Sequence, residues 1–474
     1  MPFGVPGLKK ALNYLLVSVV LCLAFSCNSY NNGYYGNATN TAPVPLNQLT
    51  LRAYVSNPVQ PTALGGGSAG LNVVDALRDI LSPFTVSLAS LNGSVNDPGV
   101  MTVSPKRDRT LVSSPTDSKI AVINNSQNSV ASAVTLAGST ESFFVWSDNR
   151  TAFAAEPSAS ISGLPPGAVE RIDLPTAKVT ATIPIPGAHY IVPSPNGNAF
   201  LVFSENSDTV TLLSPSMIGA NTQSNAQVPC SSTQTAACTL PGSFDRPVWA
   251  VFNASSTTAY VLNCGQQCGG TGSGACLSFT SCTTVVAVDM TQAPPALGTS
   301  VPVPAATVGL LQGNTLYVAG TPTSAADNNC SGIKTAATRC GRLTEIDVGA
   351  MTASTPLAIT DGYHNRIQLA SNAQLFIGSR ACTNINVAGG EIRGCLTIVN
   401  TSSGNISASS VTASRDNGDV SGIAPIPNRP VVYVCEGGNL RIYDTTTDEL
   451  EVFKQPAVAP SVVGQAVDVK VVGF

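Results

Sequence analysis

From residue 51 onward the chain is built of short apolar runs punctuated by Gly, Asn, Asp, Pro and Ser. Runs of this length bounded by turn residues predict β-strands, and stretches with the 3.6-residue spacing of an amphipathic helix are missing here. The runs repeat. RAYVSNP (52–58), TAYVLNCG (258–265), TLYVAGTP (315–322) and VVYVCEGG (431–438) are close copies. RTLVSSP (109–115), RTAFAAEP (150–157), AFLVFSEN (199–206) and QLFIGSRA (374–381) are weaker ones. Their landmarks are Tyr54, Leu111, Phe153, Leu201, Tyr260, Tyr317, Phe376 and Tyr433, spaced 42 to 59 residues apart. After each landmark comes a second strand ending in Asp, Asn or Ser, such as LNVVD (71–75), AVERID (168–173) or LRIYD (440–444). A tight turn and a third strand follow, and a further short run precedes each landmark, as in SFFVWS or VWAVFN. Four short antiparallel strands per repeat predict the blade of a β-propeller.

The expected fold is therefore all-β: a single propeller over residues 51–474, with strands A to D from the centre outward. Eight blades are favoured and seven are the alternative, because the third and fourth copies are degenerate. The chain starts with strands B, C and D of one blade and ends with AVDVKVVGF (466–474), which reads as an A strand. That strand would complete the first blade and close the ring, leaving no open edge. Tyr54-Val55-Ser56-Asn57 and Tyr260-Val261-Leu262-Asn263, each followed by a VVD-like strand, resemble the YVTN-type repeat proteins of bacterial and archaeal surfaces. The resemblance implies the propeller fold and says nothing about activity, since propellers carry unrelated functions.

Residues 1–50 differ in character. Lys9 and Lys10 precede an apolar segment, ALNYLLVSVVLCLAF (11–25), which is short for a membrane span and sized for a secretory signal. Ser26-Cys27 after Leu23-Ala24-Phe25 resembles a bacterial lipobox, although that family favours Leu where Ala24 stands. The resemblance implies cleavage after residue 26 and lipidation of Cys27; ordinary signal cleavage and an uncleaved anchor are the alternatives. Asn28 in place of Asp favours the outer membrane by the same resemblance. Residues 27–50 are polar and nearly uncharged, as in a flexible tether.

Composition adds two exclusions and a compartment. With 23 Lys+Arg against 27 Asp+Glu there is no basic field for nucleic acid. Past the leader no second segment is apolar enough to span a bilayer. Of the 13 cysteines, most fall in close pairs: Cys230 with Cys238, Cys330 with Cys340, Cys382 with Cys395. Cys264, Cys268, Cys276 and Cys282 form a quartet that could nest as 264–282 and 268–276, though four cysteines allow three pairings. Their spacings, with no histidine nearby, favour disulfides in an exported chain over zinc. Cys435, inside VVYVCEGG, reads as a buried thiol.

In an A-to-D meander the A–B and C–D turns share one face of the disc, the turn face. The B–C loops and D–A connections share the other, the loop face. The long insertions (58–70, 157–167, 264–283, 320–342 and 380–395) fall in B–C loops, and Cys230–Cys238 reads as a D–A connection. Every candidate disulfide would then staple one surface, suited to binding an envelope protein or glycan, or simply protected from proteolysis. The A strands start on this face, which brings Asp97, Glu141, His189, Asp245, Arg246, His364, Arg366 and Asp419 to the mouth of the channel. These read first as polar residues hydrating the mouth, and second as a ligand site. No cofactor or metal is implied: no G-x-S-x-G elbow is present, and the glycine-rich stretches lack a phosphate-loop Lys. Asp75, Asn124, Asp173, Asp289, Asp347, Asn400 and Asp444, at the ends of C strands, read as turn caps. Trp146 and Trp249 read as packing residues. The leading functional reading is a lipid-anchored envelope propeller acting as a binding or scaffold module. The alternative, implied by likeness to propeller lactonases and lyases, is an enzyme with its site at the channel mouth.

Overall fold

A computed structural model describes residues 45–60, 68–88, 95–214, 228–232, 237–272, 279–324, 330, 340–383, 395–403, 405–406, 418–446, 449–450 and 465–473. The leader, Cys27, most of the tether and Cys276 lie outside the described residues. Eight antiparallel sheets form eight blades. Blade 1 takes Leu51–Gln60, Ser68–Asp75 and Ile80–Ser87 as strands B, C and D, and Asp468–Gly473 as its A strand. The A strands of blades 2 to 8 are Met101–Val103, Ser142–Val145, Ala188–Pro193, Pro247–Phe252, Val308–Gln312, Tyr363–Leu369 and Val420–Pro425. The matching B strands are Arg109–Ser114, Thr151–Glu156, Phe200–Ser204, Thr258–Asn263, Thr315–Gly320, Gln374–Arg380 and Val431–Glu436. Each A strand packs against the next around the ring, and Asp468–Gly473 sits between those of blades 8 and 2. The eight-blade count and closure by the C-terminal strand are thus both observed.

The apolar residues gather in eight clusters, each between two neighbouring blades. All eight landmarks are buried on B strands. Where the landmark is Tyr, its ring fills one cluster, and in three of the four its hydroxyl reaches the C–D turn of the next blade. Tyr54 donates to Asn128 Oδ1 at 2.7 Å, Tyr433 donates to Asp79, and Tyr317 is bonded to Thr401. The residue three places on ties the incoming D–A connection. Asn57 accepts from the Gln465 amide, Asn263 from Asp245, Glu156 from Gly138 and Ser114 from Asp97. The Tyr and Asn of the repeat are therefore its stitching: one bond forward to the next blade, one inward to its own. Replacing Tyr433 by Phe keeps the ring and removes a buried bond to Asp79. Loss of about 1–3 kcal/mol of unfolding free energy is expected in a denaturant titration.

All seven Asp and Asn residues at C-strand ends cap the following turn, accepting amide N–H bonds from Leu77, Ser126, Thr176, Thr291, Gly349, Ser402 and Thr446. Trp146 packs with Phe144, Phe153 and Phe200 between blades 3 and 4. Cys435 is a buried free thiol.

Two cysteine expectations change. Cys264 is bonded to Cys268, with Cα atoms 5.6 Å apart, across a 3-10 turn at Gly265–Cys268, and not to Cys282. The short turn brings the nearer partner into reach; Cys282 is itself disulfide-bonded. Cys230–Cys238 is formed, but it does not lie in a D–A connection. Cys238–Thr239 is itself the D strand of blade 4, so Cys230 belongs to the preceding C–D connection and the bond staples the outer edge of that blade. Cys330–Cys340 and Cys382–Cys395 pair as expected. Disulfides of this number mark a chain that matures outside the reducing cytosol. Among the described residues no helix is long and apolar enough to cross a membrane.

Candidate functional site

The B–C loops divide unevenly around the loop face. Blade 8 turns on Gly437–Gly438 alone, and blades 2 and 4 have short links at 115–118 and 205–209. Blades 5, 6 and 7 carry the three longest loops, each with a disulfide: Cys264–Cys268, Cys330–Cys340 and Cys382–Cys395. Where the short loop of blade 4 meets this stapled sector, a cleft of about 370 Å³ opens. Its walls include His189, Tyr190, Glu205, Arg246, Cys268 and Tyr363.

Local topology explains this gathering. A and B strands run antiparallel, so the first residues of A face the last of B, and Ala188 pairs with Ser204. That register brings His189 Nδ1 to 3.2 Å from Glu205 Oε1. The His189 ring stacks on Tyr190, centroids 4.0 Å apart, and Tyr190 meets Trp249 edge-on. Tyr190 is hydrogen-bonded to Tyr363 of blade 7, three blades away. Arg246 adopts a left-handed backbone with φ 52°. Its amide donates to Asp208 Oδ1 at 3.0 Å, and its guanidinium lies 3.7 Å from the same carboxylate.

The remaining mouth residues divide between bridging and bracing. Glu141 of blade 3 and Arg380 of blade 7, on opposite sides of the ring, form an ion pair 4.0 Å long. Gln267, from the blade 5 loop, donates to the Gly362 carbonyl and accepts the Thr321 amide. Together with Tyr190–Tyr363, these contacts span the channel mouth. Arg366 lies beneath, its Nε donating to the Ser421 carbonyl at 2.8 Å. Burial lowers its pKa, against the pull of Asp468. Asp245 accepts the amides of Thr271 and Gly272, Asp419 that of Ala381, and Asp361 that of Thr383; each holds a loop in place. The Asp97 amide donates to Ser114.

The two histidines have different environments. His364 is fully buried, with Nε2 2.9 Å from the Thr360 carbonyl, and burial pulls its pKa down to about 4. It packs against Gly341, where a β-carbon would stand 2.6 Å from the imidazole Cε1. It belongs to the interior of blades 6 and 7. In His189 burial also lowers the pKa, outweighing the opposing pull of Glu205 and Glu141. An NMR titration of the two imidazole signals should place both below 6.5, His364 near 4. A Glu205→Gln change should move His189 lower still and leave His364 where it is.

Of the residues singled out from sequence, His189 and Arg246 line the cleft, while Asp245, His364 and Asp419 serve the scaffold. Glu205, Asp208, Tyr190, Tyr363, Arg380 and Gln267 were not foreseen. Glu205 was within reach, because the antiparallel A–B pairing already sets B-strand ends beside A-strand starts.

No protein-family model matches the chain, and no curated protein does so either. Solved structures do resemble it. A dihydro-heme d1 dehydrogenase, NirN, described in complex with DHE, aligns over 87% of this chain and 73% of its own, with a TM-score of 0.56 and 11% identity. Hydrazine synthase of Kuenenia stuttgartiensis aligns over 76% of this chain and 98% of its own, with a TM-score of 0.50 and 12% identity. At such identities the likeness is one of fold.

Proposed function

We propose that this chain is a cell-envelope binding module, tethered to the outer membrane through lipidated Cys27, that holds an envelope protein or glycan on its loop face. The observation that supports this reading is the run of stapled B–C loops on three consecutive blades beside a concave cleft. Cross-linked loops lose less entropy on binding, and loop surfaces on a rigid scaffold are where recognition residues collect. The braced acids, Asp245, Asp361 and Asp419, contribute to the same preorganisation. Two measurements test it. Metabolic labelling with a palmitate analogue should mark the wild type and leave Cys27→Ser unlabelled and released from the membrane fraction. Cross-linking capture from native envelopes should return one discrete partner, lost when loops 264–283 and 320–342 are shortened. The same material with or without the loops would overturn the assignment of the face.

One observation favours a second reading, an enzyme of lactonase or lyase type. His189, oriented by Glu205 and neutral at physiological pH, could take a proton from a ligand in the cleft, with Arg246 beside it for a developing negative charge. A screen of lactones and uronate polymers against wild type and His189→Gln decides it: turnover lost with the imidazole supports catalysis, and no turnover removes it.

A further inference from the structure

We propose that the cleft between blades 4, 5 and 7 is a saccharide subsite that takes a neutral sugar unit of a glycan chain. This rests on the loop face being the binding surface and deepens that reading by naming a ligand class. The cleft, about 370 Å³, falls in the range of small-ligand sites and is too small to seat a folded protein surface. Tyr190 and Tyr363 among its walls, both partly exposed, give it an aromatic surface on which the apolar C–H faces of a pyranose pack. Its polar groups already have partners within the protein: neutral His189 lies against the Glu205 carboxylate, and Arg246 is paired with Asp208. A strongly charged ligand would have to displace one of these partners. Vicinal hydroxyls need not, because each both donates and accepts, and a carboxylate beside a guanidinium serves both roles at once. Ser204 at the end of strand B and Asn206 and Ser207 on the short link of blade 4 add further neutral hydrogen-bonding groups at the rim. That link leaves the cleft open on one side, so a longer chain can run out over the face.

The site is also held in shape before any ligand arrives. The Tyr190–Tyr363 bond fixes its back wall, and Cys264–Cys268 with the Gln267 contacts fixes the blade 5 side. Binding therefore orders few side chains, the condition under which a weakly interacting ligand such as a sugar is held.

Titration calorimetry of the full chain against cello-, xylo- and chito-oligosaccharides, with an oligogalacturonate series alongside, tests the proposal. At least one neutral series is expected to bind. Glu205→Ala, a half-exposed change, should weaken it about tenfold or more, corresponding to about 1.4 kcal/mol, and Tyr363→Phe should weaken it less. Arg150→Gln, on the turn face, should bind as the wild type does. Binding confined to the galacturonates, binding that survives Glu205→Ala, or no binding in any series would each overturn the subsite. If no sugar binds while envelope capture still returns a loop-dependent protein, the subsite fails and the binding-module reading stands. If neither gives a result, both fail.

Discussion

A chain shortened to end before Asp468 is expected to fail to reach the native state, giving aggregated protein or a broad, uncooperative thermal transition. The missing strand is the inner strand of blade 1, paired with Tyr54 and its neighbours along its whole length. Its loss exposes an unpaired edge on blade 1 and opens the apolar clusters on both sides of that blade, which hold Val469 and Val472. Asp468 adds a polar link, accepting the Met101 amide of blade 2 at 2.8 Å and pairing with Lys470. On the other side Arg429 of blade 8 grips Asp79 and the Ala76 carbonyl of blade 1. Supplying a peptide of residues 465–474 in trans should restore a cooperative transition. A truncated chain that melts like the full one would show that the seam contributes little.

Glu156→Gln is expected to raise stability at mildly alkaline pH, an unusual sign for a change at a fully buried residue. Glu156 and Glu170 lie diagonally across neighbouring strands of blade 3, both buried. Glu156 accepts the Gly138 amide at 2.7 Å, and Glu170 accepts from Thr182. Burial, with the neighbouring Glu170 carboxylate, pushes the Glu156 carboxyl up to about 9. Below about pH 4.5 the group is protonated whether the chain is folded or not, and the site stabilises fully. Between there and about 9 the unfolded chain gives up a proton that the folded chain keeps, so stability falls as pH rises. Gln holds the neutral form permanently: its carbonyl can accept from Gly138 and its amide can donate to Glu170. At pH 8 a gain on the order of 2 kcal/mol is expected, shrinking toward zero below pH 5. Urea titrations at pH 5 and pH 8 check it; equal wild-type and variant slopes with pH would show that no shared proton is present.

The fold was legible because its signals are local and repeated. A buried Tyr and an Asp that caps a turn recur at one place in every good copy, and an Asn that catches the incoming chain recurs in two of them, Asn57 and Asn263. The degenerate third and fourth copies, with Phe153 and Leu201 for Tyr, lack the hydroxyl bond, and aromatic packing of Phe144, Phe153 and Phe200 holds that interface. The candidate site was only partly legible because it has no such period. Glu205 and Tyr363 are far apart in the chain and come together only through ring geometry. The Glu156–Glu170 pair looks in sequence like two surface acids in an alternating strand. Cys264 has three cysteines within reach, and the choice of Cys268 depends on a short turn that composition does not reveal.

Closure by the last strand also sets where the chain enters and leaves the disc. Strand B of blade 1 begins at Leu51 on the turn face, where Arg52 binds the carbonyls of Leu46 and of Asn125 in the neighbouring C–D turn. The final A strand runs toward that same face. Both ends of the described chain therefore leave from the floor of the disc, beneath the stapled loops. An anchor at Cys27, as proposed, would join the disc from beneath and leave the stapled loops on the side away from the attachment point.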